Sequence, residues 1–330
     1  MNQCIFVFEF ITGGGLAGAP LPPSLAREGR LMRDALLRDG LELPDSAIVT
    51  TCDARLPPPP GNALAVTDAD AFDATFDAAL AQADAAIVVA PESGGLLNAL
   101  SARVEAAGCT LLGCDAASRD IASSKSRTAQ VLASAGIAVL SHYDDADTAP
   151  DLPGAWVVKP DDGAGCDGLL RVDGRDAAAR ALRAAGPGHI AQPWMDGEAR
   201  SMNLLCARGR ATLLSVNRQM IEYREEHVRL AALHVGAVNA SPMHRSLAAR
   251  IAAALPGLLG PVGVDFIETV DGPVVVEINP RMSTSACALR DASGLNLLAA
   301  TLSAARDGTL PAAATARKLT LHLDMHDKTA

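Results

Sequence analysis

Apolar residues alternate along the chain between short continuous runs and longer stretches with helical spacing. Residues 4–8 form a continuous apolar run followed by glycines, as expected for a strand buried on both faces. Residues 24–40 show helical spacing, and further apolar runs occupy 47–50 and 87–90. This repetition of strand and helix predicts an open α/β domain over residues 1–115.

Beyond residue 116 the pattern changes to shorter strands separated by turns and fewer helices. A polar stretch at 144–154 precedes the first of these strands. We therefore predict an α+β region in two parts, a small subdomain at 116–196 and a large subdomain at 197–330. The strands are expected at 138–140, 156–159, 168–172, 189–192, 201–207, 212–216, 263–268, 274–279 and 318–324, with helices at 127–135, 176–185 and 244–255.

Composition and charge narrow the class of protein. The 330 residues carry a formal charge of −10 and only 3% aromatic residues, which argues against a nucleic-acid-binding protein. No apolar run reaches the roughly 18–20 residues of a membrane helix, and the apolar N-terminus is interrupted by Glu9 without a basic leader. Seven cysteines without a CxxC pair favour a reducing, cytoplasmic setting over a disulfide framework.

Three polar residues on two consecutive strands give the strongest chemical signal. Side chains alternate between the faces of a strand, so Glu277 and Asn279 point to one side, and Val274, Val276 and Ile278 point to the other. If the apolar faces pack together, Asp265 of the preceding strand joins them. A two-residue turn at 271–272 would place Asp265 on the wrong face, so we predict an odd-length loop or a bulge in this hairpin.

Two carboxylates and an amide oxygen suit Mg²⁺ or Mn²⁺, which prefer oxygen ligands and bridge phosphates. Arg281 follows at once and could bind a phosphoryl or carboxylate oxygen. The alternative is that the three residues form only the solvated face of a hairpin.

Phosphate partners for such a metal could come from two upstream segments. Lys159 ends an apolar strand, and the glycine-rich loop that follows contains Asp162, Gly163, Gly165 and Gly168. Glycines let backbone amides approach phosphate oxygens, although the loop lacks the Walker pattern and a plain hairpin would explain it as well. Lys125 begins a helix after two serines and on its own would be a surface lysine.

A third segment, residues 192–198, joins a short strand to the next sheet. Trp194 could cover an adenine and Glu198 could accept from ribose hydroxyls, whereas a buried tryptophan beside a turn is the alternative. Gly13 and Gly14 follow the first strand, but the chain has no GxGxxG pattern for a dinucleotide.

Taken in this order, the segments resemble the ATP-grasp superfamily, whose members clamp ATP between two α+β subdomains. The resemblance implies that fold, preceded by the open α/β domain, and a carboxylate–amine ligase that works through an acylphosphate. It also implies roles for particular residues: Lys125 and Lys159 at the phosphates, Asp162, Gly163, Gly165 and Gly168 in a mobile loop over them, Gln192, Pro193 and Trp194 at the adenine, Glu198 at the ribose, Asp265, Glu277 and Asn279 as ligands of Mg²⁺ or Mn²⁺, and Arg281 and Lys159 in catalysis.

At a finer level, residues 8–10, 90–92 and 277–285 are similar to the tyramine–L-glutamate ligase family of methanofuran biosynthesis. This implies the side-chain carboxylate of glutamate and tyramine, or a tyrosine-like amine, as substrates in one-carbon metabolism, and suggests a homodimer. Substrate contacts are expected from Glu9, Gly13, Gly14, Glu92, Asn217, Arg218 and Ser283. A ligase for another amino acid or a pterin-linked substrate, or a non-catalytic nucleotide-binding module, are the alternatives.

Overall fold

The computed structural model describes residues 3–145, 148–163, 168–224, 227–313 and 316–323. Its N-terminal part is a five-stranded parallel sheet in the order β3-β2-β1-β4-β5. The strands are β1 (Gln3–Glu9), β2 (Ser46–Asp53), β3 (Asn62–Val66), β4 (Ala85–Val89) and β5 (Thr110–Leu111), and the helices are α1 (Pro23–Leu41), α2 (Ala69–Leu80) and α3 (Leu96–Ala106).

The winding of this sheet places β1 next to β4. From β1 the chain continues outward to β2 and β3, and it then returns to the other side of β1 to form β4. Open α/β sheets bind ligands at the carboxyl ends of strands where the winding reverses in this way. The loop after Glu9 and the turn after β4, which begins at Pro91, therefore border the place where the topology predicts a ligand, referred to below as the crevice.

The rest of the chain builds one mostly antiparallel, nine-stranded sheet in the order β13-β12-β9-β10-β11-β7-β6-β8, with β14 paired to β11. Its strands are β6 (Ala155–Pro160), β7 (Leu170–Asp173), β8 (His189–Pro193), β9 (Glu198–Ala207), β10 (Arg210–Arg224), β11 (His227–Val238), β12 (Gly260–Thr269), β13 (Gly272–Asn279) and β14 (Leu319–His322). The helices are α4 (Ala116–Ala122), α5 (Lys125–Ser134), α6 (Arg175–Ala185), α7 (Pro242–Ala254), α8 (Leu289–Ser293) and α9 (Leu297–Asp307).

Three features differ from the sequence-based expectation. The strands β3, β5 and β11 were not predicted, because β3 and β5 are short edge strands and β11 has mixed polarity, which hides its alternation. The expected strand at 138–140 is a single bridge between Val139 and Val275. The strand expected at 212–216 is longer, because β10 pairs with a neighbour on each side and runs on to Arg224.

The helices of the second part of the chain pack against different segments of the nine-stranded sheet. Trp156, fully buried, packs with Leu182 of α6 in a core confined to the small subdomain. Leu132 of α5 instead packs with Met202 and Ile278 under the hairpins of the large subdomain. The boundary at 116 stays a prediction, and α4 and α5 contribute to the core of the large subdomain rather than to that of the small one.

A further core joins the first and last parts of the chain. Ile5 of β1 and Leu36 of α1 are buried together with Leu298 of α9. Among the described residues, no helix combines the length and apolar character needed to cross a membrane.

Candidate active site

The hairpin of β12 and β13 contains the predicted irregularity. Asp265 lies opposite Glu277, whereas its neighbour Phe266 lies opposite Val275, so Val276 is an extra residue on β13. This bulge puts Asp265 on the same face as Glu277 and Asn279. The prediction of a bulge is therefore confirmed.

These three side chains do not form a solvated strand face. Glu277 and Asn279 are 7% and 9% exposed, and Asp265 is half-buried. The carboxyl groups of Asp265 and Glu277 are hydrogen-bonded to each other, and Asn279 Nδ2 donates to Asp265 Oδ2 over 3.2 Å. The polar face is thus enclosed and compact.

The two carboxyl groups differ in their preferred charge. Burial raises the pKa of Asp265 well above its usual range, and the negative charge of Glu277 raises it further. Burial would also raise the pKa of Glu277, but Lys125 and Lys159 lower it overall. Lys125 Nζ lies 3.3 Å from Glu277 Oε2, so the anion of the pair is held on the lysine side.

The residues present fit a divalent cation, because two adjoining carboxyl groups must share either a proton or a metal. Asp265, Glu277 and Asn279 would hold it. Within the described ranges no group of three or more His, Cys, Asp or Glu side chains could bind a metal. A cation at this hairpin would therefore also need the amide oxygen and oxygens of a bound phosphate.

The start of the glycine-rich loop is fastened on two sides. Asp161 accepts hydrogen bonds from the Ser124 hydroxyl and from the Ser126 amide at the N-terminus of α5, and Lys125 Nζ donates to the carbonyl of Gly163 over 2.6 Å. Asp162 accepts from the amide of Gly94, in the turn after β4. Its carboxylate thus contacts the N-terminal domain rather than lying free to meet a phosphate.

The remaining loop glycines have different surroundings. Gly168 is exposed and has a φ of 68°, a conformation that favours glycine. A Cβ on Gly163 would lie 3.1 Å from Pro160. Gly165 lies outside the described residues.

At the segment predicted to contact adenine, Gln192 is buried on β8 while Pro193 and Trp194 are half-buried. The guanidinium of Arg171 on β7 lies 5.2 Å from the centre of the Trp194 ring, a cation–π arrangement. The fully buried tryptophan is Trp156, so Trp194 is not a simple core residue.

Glu198, predicted at the ribose, is held by two arginines. Arg218 Nε lies 2.5 Å from its Oε1, and Arg200 pairs with its Oε2. Arg200 also contacts Glu268, whose carboxylate accepts from Nε2 of His244. Nε2 is the donor because Nδ1 of the same ring accepts from the Ser241 amide. The carboxylate is oriented before any nucleotide arrives, and Arg218 is placed beside it.

Two of the polar residues expected to touch substrate, Asn217 and Ser283, instead bond to side chains and backbone of the neighbouring strands. Asn217 is fully buried, donating to the Ser201 hydroxyl and accepting from the Gly236 amide. Ser283 donates to Asn203 Oδ1 over 2.9 Å. Their substrate contacts stay predictions, and the geometry favours support of the neighbouring strands.

The glycine loop after β1 is packed against its own domain. A Cβ on Gly13 would lie 2.4 Å from the carbonyl oxygen of Glu9, and one on Gly14 would strike Val66. The Glu9 carboxylate, 2% exposed, accepts from the amides of Ile11 and Thr12. Burial raises the pKa of Glu9, opposed by these hydrogen bonds. These residues shape the loop, and a substrate contact by them stays a prediction.

Arg281 reaches from the metal hairpin to the N-terminal domain. Its Nη2 donates to Glu92 Oε2 over 2.9 Å, and its Nη1 donates to the carbonyl of Met282. Burial lowers the pKa of Arg281, but the carboxylates of Glu92 and Glu28 raise it overall, so the guanidinium stays charged.

Sequence patterns missed two contributors to this site. Gln219 Nε2 donates to Asp265 Oδ1 over 2.9 Å, and Asp161 organises the entrance of the glycine loop. Gln219 lies between two irregularities in the pairing of β10, so its face could not be assigned by alternation. The position of Asp161 beside the glycines was the only signal for it.

Comparison with known protein families shows to which family the chain belongs. A family model described as the ATP-grasp domain matches residues 122–285, and one described as the pre ATP-grasp 3 domain matches residues 46–118. The chain belongs to the ATP-grasp superfamily. The predicted fold class, an ATP-grasp fold preceded by an open α/β domain, is confirmed.

The relatives of this ATP-grasp chain span different activities. Tyramine–L-glutamate ligase from Methanocaldococcus jannaschii is 29% identical over 211 residues, which are 63% of this chain and 58% of that protein, so the chain matches less than two thirds of its length. A crystal structure assigned to the ATP-grasp superfamily, from Archaeoglobus fulgidus, has 24% identity and a TM-score of 0.72 over 97% of this chain and 92% of the other.

A further structural relative is the biotin carboxylase domain dimer of 2-oxoglutarate carboxylase from Hydrogenobacter thermophilus, in complex with ADP and magnesium. It has 16% identity and a TM-score of 0.69 over 96% of this chain and 72% of the other. At this identity the likeness concerns the fold alone.

Proposed function

We propose that this ATP-grasp protein is an ADP-forming carboxylate–amine ligase. The observation that carries the proposal is the enclosed hairpin site, in which Asp265, Glu277 and Asn279 face Lys125. Although the chain as a whole is acidic, Lys125 and Lys159 lie beside this pair of carboxylates. Binding of a metal–polyphosphate requires both the cations and the carboxylates. The resemblance to tyramine–L-glutamate ligase supports ligation of a carboxylate to an amine.

In the proposed reaction, an oxygen of the substrate carboxylate attacks the γ-phosphorus of ATP, and the bond to ADP breaks. The amine then attacks the acyl carbon, phosphate leaves with the bonding electrons, and the nitrogen loses a proton. Lys125, Lys159 and Arg281 would bind and orient the phosphates, and closure of the glycine-rich loop would exclude water from the acylphosphate. Bound Mg²⁺ or Mn²⁺ would neutralise charge on the phosphate oxygens.

For the nucleotide, we infer that Gln192, Pro193 and Trp194 contact the adenine and Glu198 the ribose. The half-buried position of Trp194 and the prior orientation of Glu198 support this assignment. Of the loop residues, Gly163, Gly165 and Gly168 would approach the phosphates, while Asp162 would secure the loop to the turn after β4.

The substrates that we favour are the side-chain carboxylate of glutamate and tyramine or a tyrosine-like amine, in the formation of a methanofuran-type cofactor. This pair follows from the activity named for the relative, which is 29% identical over part of both chains. A homodimer and a cytoplasmic setting complete the proposal. A ligase for a different amino acid is the second candidate, since the site itself fixes only the phosphoryl chemistry.

The substitution Glu277→Gln tests the active-site assignment. Removing the anion that pairs with Lys125 should lower amine-dependent ADP release by at least about 100-fold, the scale seen when a charge-stabilising group is lost. Steady-state ADP release with MgATP, glutamate and tyramine is the measurement. Glu222→Gln, the same change at an exposed position of β10, is the control. Near wild-type turnover in folded Glu277→Gln protein would reject the site.

A panel of acids and amines then separates the substrate hypotheses. ADP release that requires both glutamate and an aromatic amine would support the favoured pair. Release with another amino acid would support the second candidate, whereas a nucleotide-dependent rise in melting temperature without turnover for any pair would indicate a binding module.

A further inference from the structure

Glu92 lies at the place in the N-terminal sheet where a ligand is expected. It follows β4, the strand beside β1, and these two carboxyl ends border the crevice at which the winding reverses. The residue is only 4% exposed. A carboxylate so deeply placed requires partners, because burying an unpaired charge is costly.

One oxygen of Glu92 has a partner from the metal hairpin. Arg281 Nη2 donates to Glu92 Oε2 over 2.9 Å. Arg281 follows Asn279, a residue of the proposed metal site, by two positions in the chain. The ion pair therefore joins the N-terminal crevice to the site proposed for phosphoryl transfer. A ligand in the crevice would lie beside the reacting phosphate.

The remaining polar atoms of this ion pair are unsatisfied. Glu92 Oε1 and Arg281 Nε are both buried, and neither has a hydrogen-bond partner among the described residues. Buried polar atoms are nearly always hydrogen-bonded, an ionised carboxylate only accepts, and a guanidinium only donates. A ligand that completes the pair must donate to Glu92 and accept from Arg281.

The charge around the pair favours a cationic donor. Glu28 of α1 and Glu277 also raise the pKa of Arg281, so more than one carboxylate acts on this single guanidinium. An ammonium group supplies both the donor and the compensating charge. An α-amino acid carries that ammonium together with carboxylate oxygens that can accept from Arg281.

Both substrates of the proposed reaction carry an amino group, but only one of these two groups can stay protonated during the reaction. The attacking amine must lose its proton, and contact with a buried carboxylate would hold it in the inactive ammonium form. The α-amino group of the acid substrate takes no part in the bond change. The geometry therefore points to the acid substrate as the ligand of Glu92.

We propose that Glu92 binds the ammonium group of an α-amino acid substrate through Oε1, and so selects amino acids over plain carboxylic acids. This inference rests on the proposed ligase function and adds the residue that recognises the α-amino group of the acid substrate. Arg281 Nε donates to an oxygen of the same ligand. Glu92 is a specificity residue and takes no part in phosphoryl transfer.

The test compares L-glutamate with glutarate, which has the same two carboxylates but no amino group. For wild type and Glu92→Gln, kcat/KM for each acid is measured at fixed MgATP and tyramine. Wild type should prefer glutamate, and Glu92→Gln should reduce that preference about 10- to 100-fold through a higher KM for glutamate than for glutarate. Glu92→Asp, which keeps the charge, should retain part of the preference.

The control is Glu105→Gln, the same change at a carboxylate of α3 that pairs with Arg119, which should keep the wild-type preference. An unchanged ratio in Glu92→Gln would overturn the proposal, as expected if only water completes the pair. The ratio is taken within one variant, so a general loss of stability does not imitate the effect.

Measurements of substrate binding distinguish a failure of this inference from a failure of the ligase proposal. Calorimetry with Mg²⁺ and a non-hydrolysable ATP analogue measures the affinities of the pairs glutamate and glutarate, aspartate and succinate, and alanine and propionate. A Glu92-dependent preference for an amino acid without any turnover would support the inference and reject the ligase. No preference within any pair for wild-type protein would reject the inference, whatever the turnover.

Discussion

At the scale of single residues, chemically similar groups acquire different properties from their neighbours. Asp265 and Glu277 touch each other, yet burial and the adjacent anion raise the pKa of Asp265, while two lysines lower that of Glu277. Gln219 donates to the carboxyl group that lacks a lysine. Its amide thus orients the member of the pair that has no cation to fix it.

We expect Gln219→Leu to weaken metal binding about 10-fold, because loss of a hydrogen bond to a ligating carboxylate leaves that carboxylate poorly oriented. Mn²⁺ affinity in the presence of ADP, measured by electron paramagnetic resonance, provides the readout without requiring turnover. Gln82→Leu, the same change at an exposed position, is the control. Equal Mn²⁺ affinities for Gln219→Leu and wild type would show that Gln219 does not position Asp265.

At the scale of elements, short connections are fixed by charged groups at strand ends. Asp53, the last residue of β2, accepts from the backbone amide and from the guanidinium of Arg55. The same guanidinium donates to the carbonyls of Leu16 and Ala19 in the segment that follows the glycine loop. One carboxylate thus holds the connections after β1 and β2 together.

Asp53→Asn should lower the free energy of unfolding at neutral pH. Hydrogen bonds from Arg55 hold the pKa of Asp53 below its usual value, so this contribution is present above the pKa of the unfolded chain. It is lost as the pH falls through the lower folded pKa, so wild type and variant should converge in acid. Urea unfolding at a series of pH values tests this, with exposed Asp173→Asn as the control. A difference that grows on acidification would contradict the assignment.

At the scale of the whole molecule, distant parts of the sequence share one core. Leu36 and Leu37 of α1 pack with Leu297 and Leu298 of α9, near the other end of the chain. The N-terminal domain therefore buries part of its apolar surface only when the last helices are in place. The contact of Arg281 with Glu92 crosses between the same two regions.

Leu298→Ala should lower the free energy of unfolding by about 3 kcal/mol, the cost of removing a fully buried leucine side chain and leaving a cavity. Urea unfolding followed by circular dichroism measures the change. Leu41→Ala is the matched control, because the Leu41 side chain at the end of α1 is 56% exposed and should lose little. Similar losses for the two variants would show that the shared core contributes little to stability.

The sequence alone determined the features that depend on local periodicity. Alternation along β13 placed Glu277 and Asn279 on one face, and the mismatch with a two-residue turn required the bulge that joins Asp265 to them. The order of lysines, glycine-rich loop, residues 192–198 and acidic hairpin resembles that of the ATP-grasp superfamily, and this resemblance indicated the fold that the family models confirm. The regular spacing of apolar residues can be read from the sequence because each strand or helix buries one of its faces in a core.

Tertiary structure decided which residues meet across elements. It brought Gln219 to Asp265 past irregular strands, attached Asp162 to Gly94, and set Glu92 against Arg281. It also turned the predicted substrate residue Asn217 inward, to bond within its own sheet. Such contacts join residues far apart in the chain, and no local pattern encodes them, because they depend on the packing of whole elements against one another.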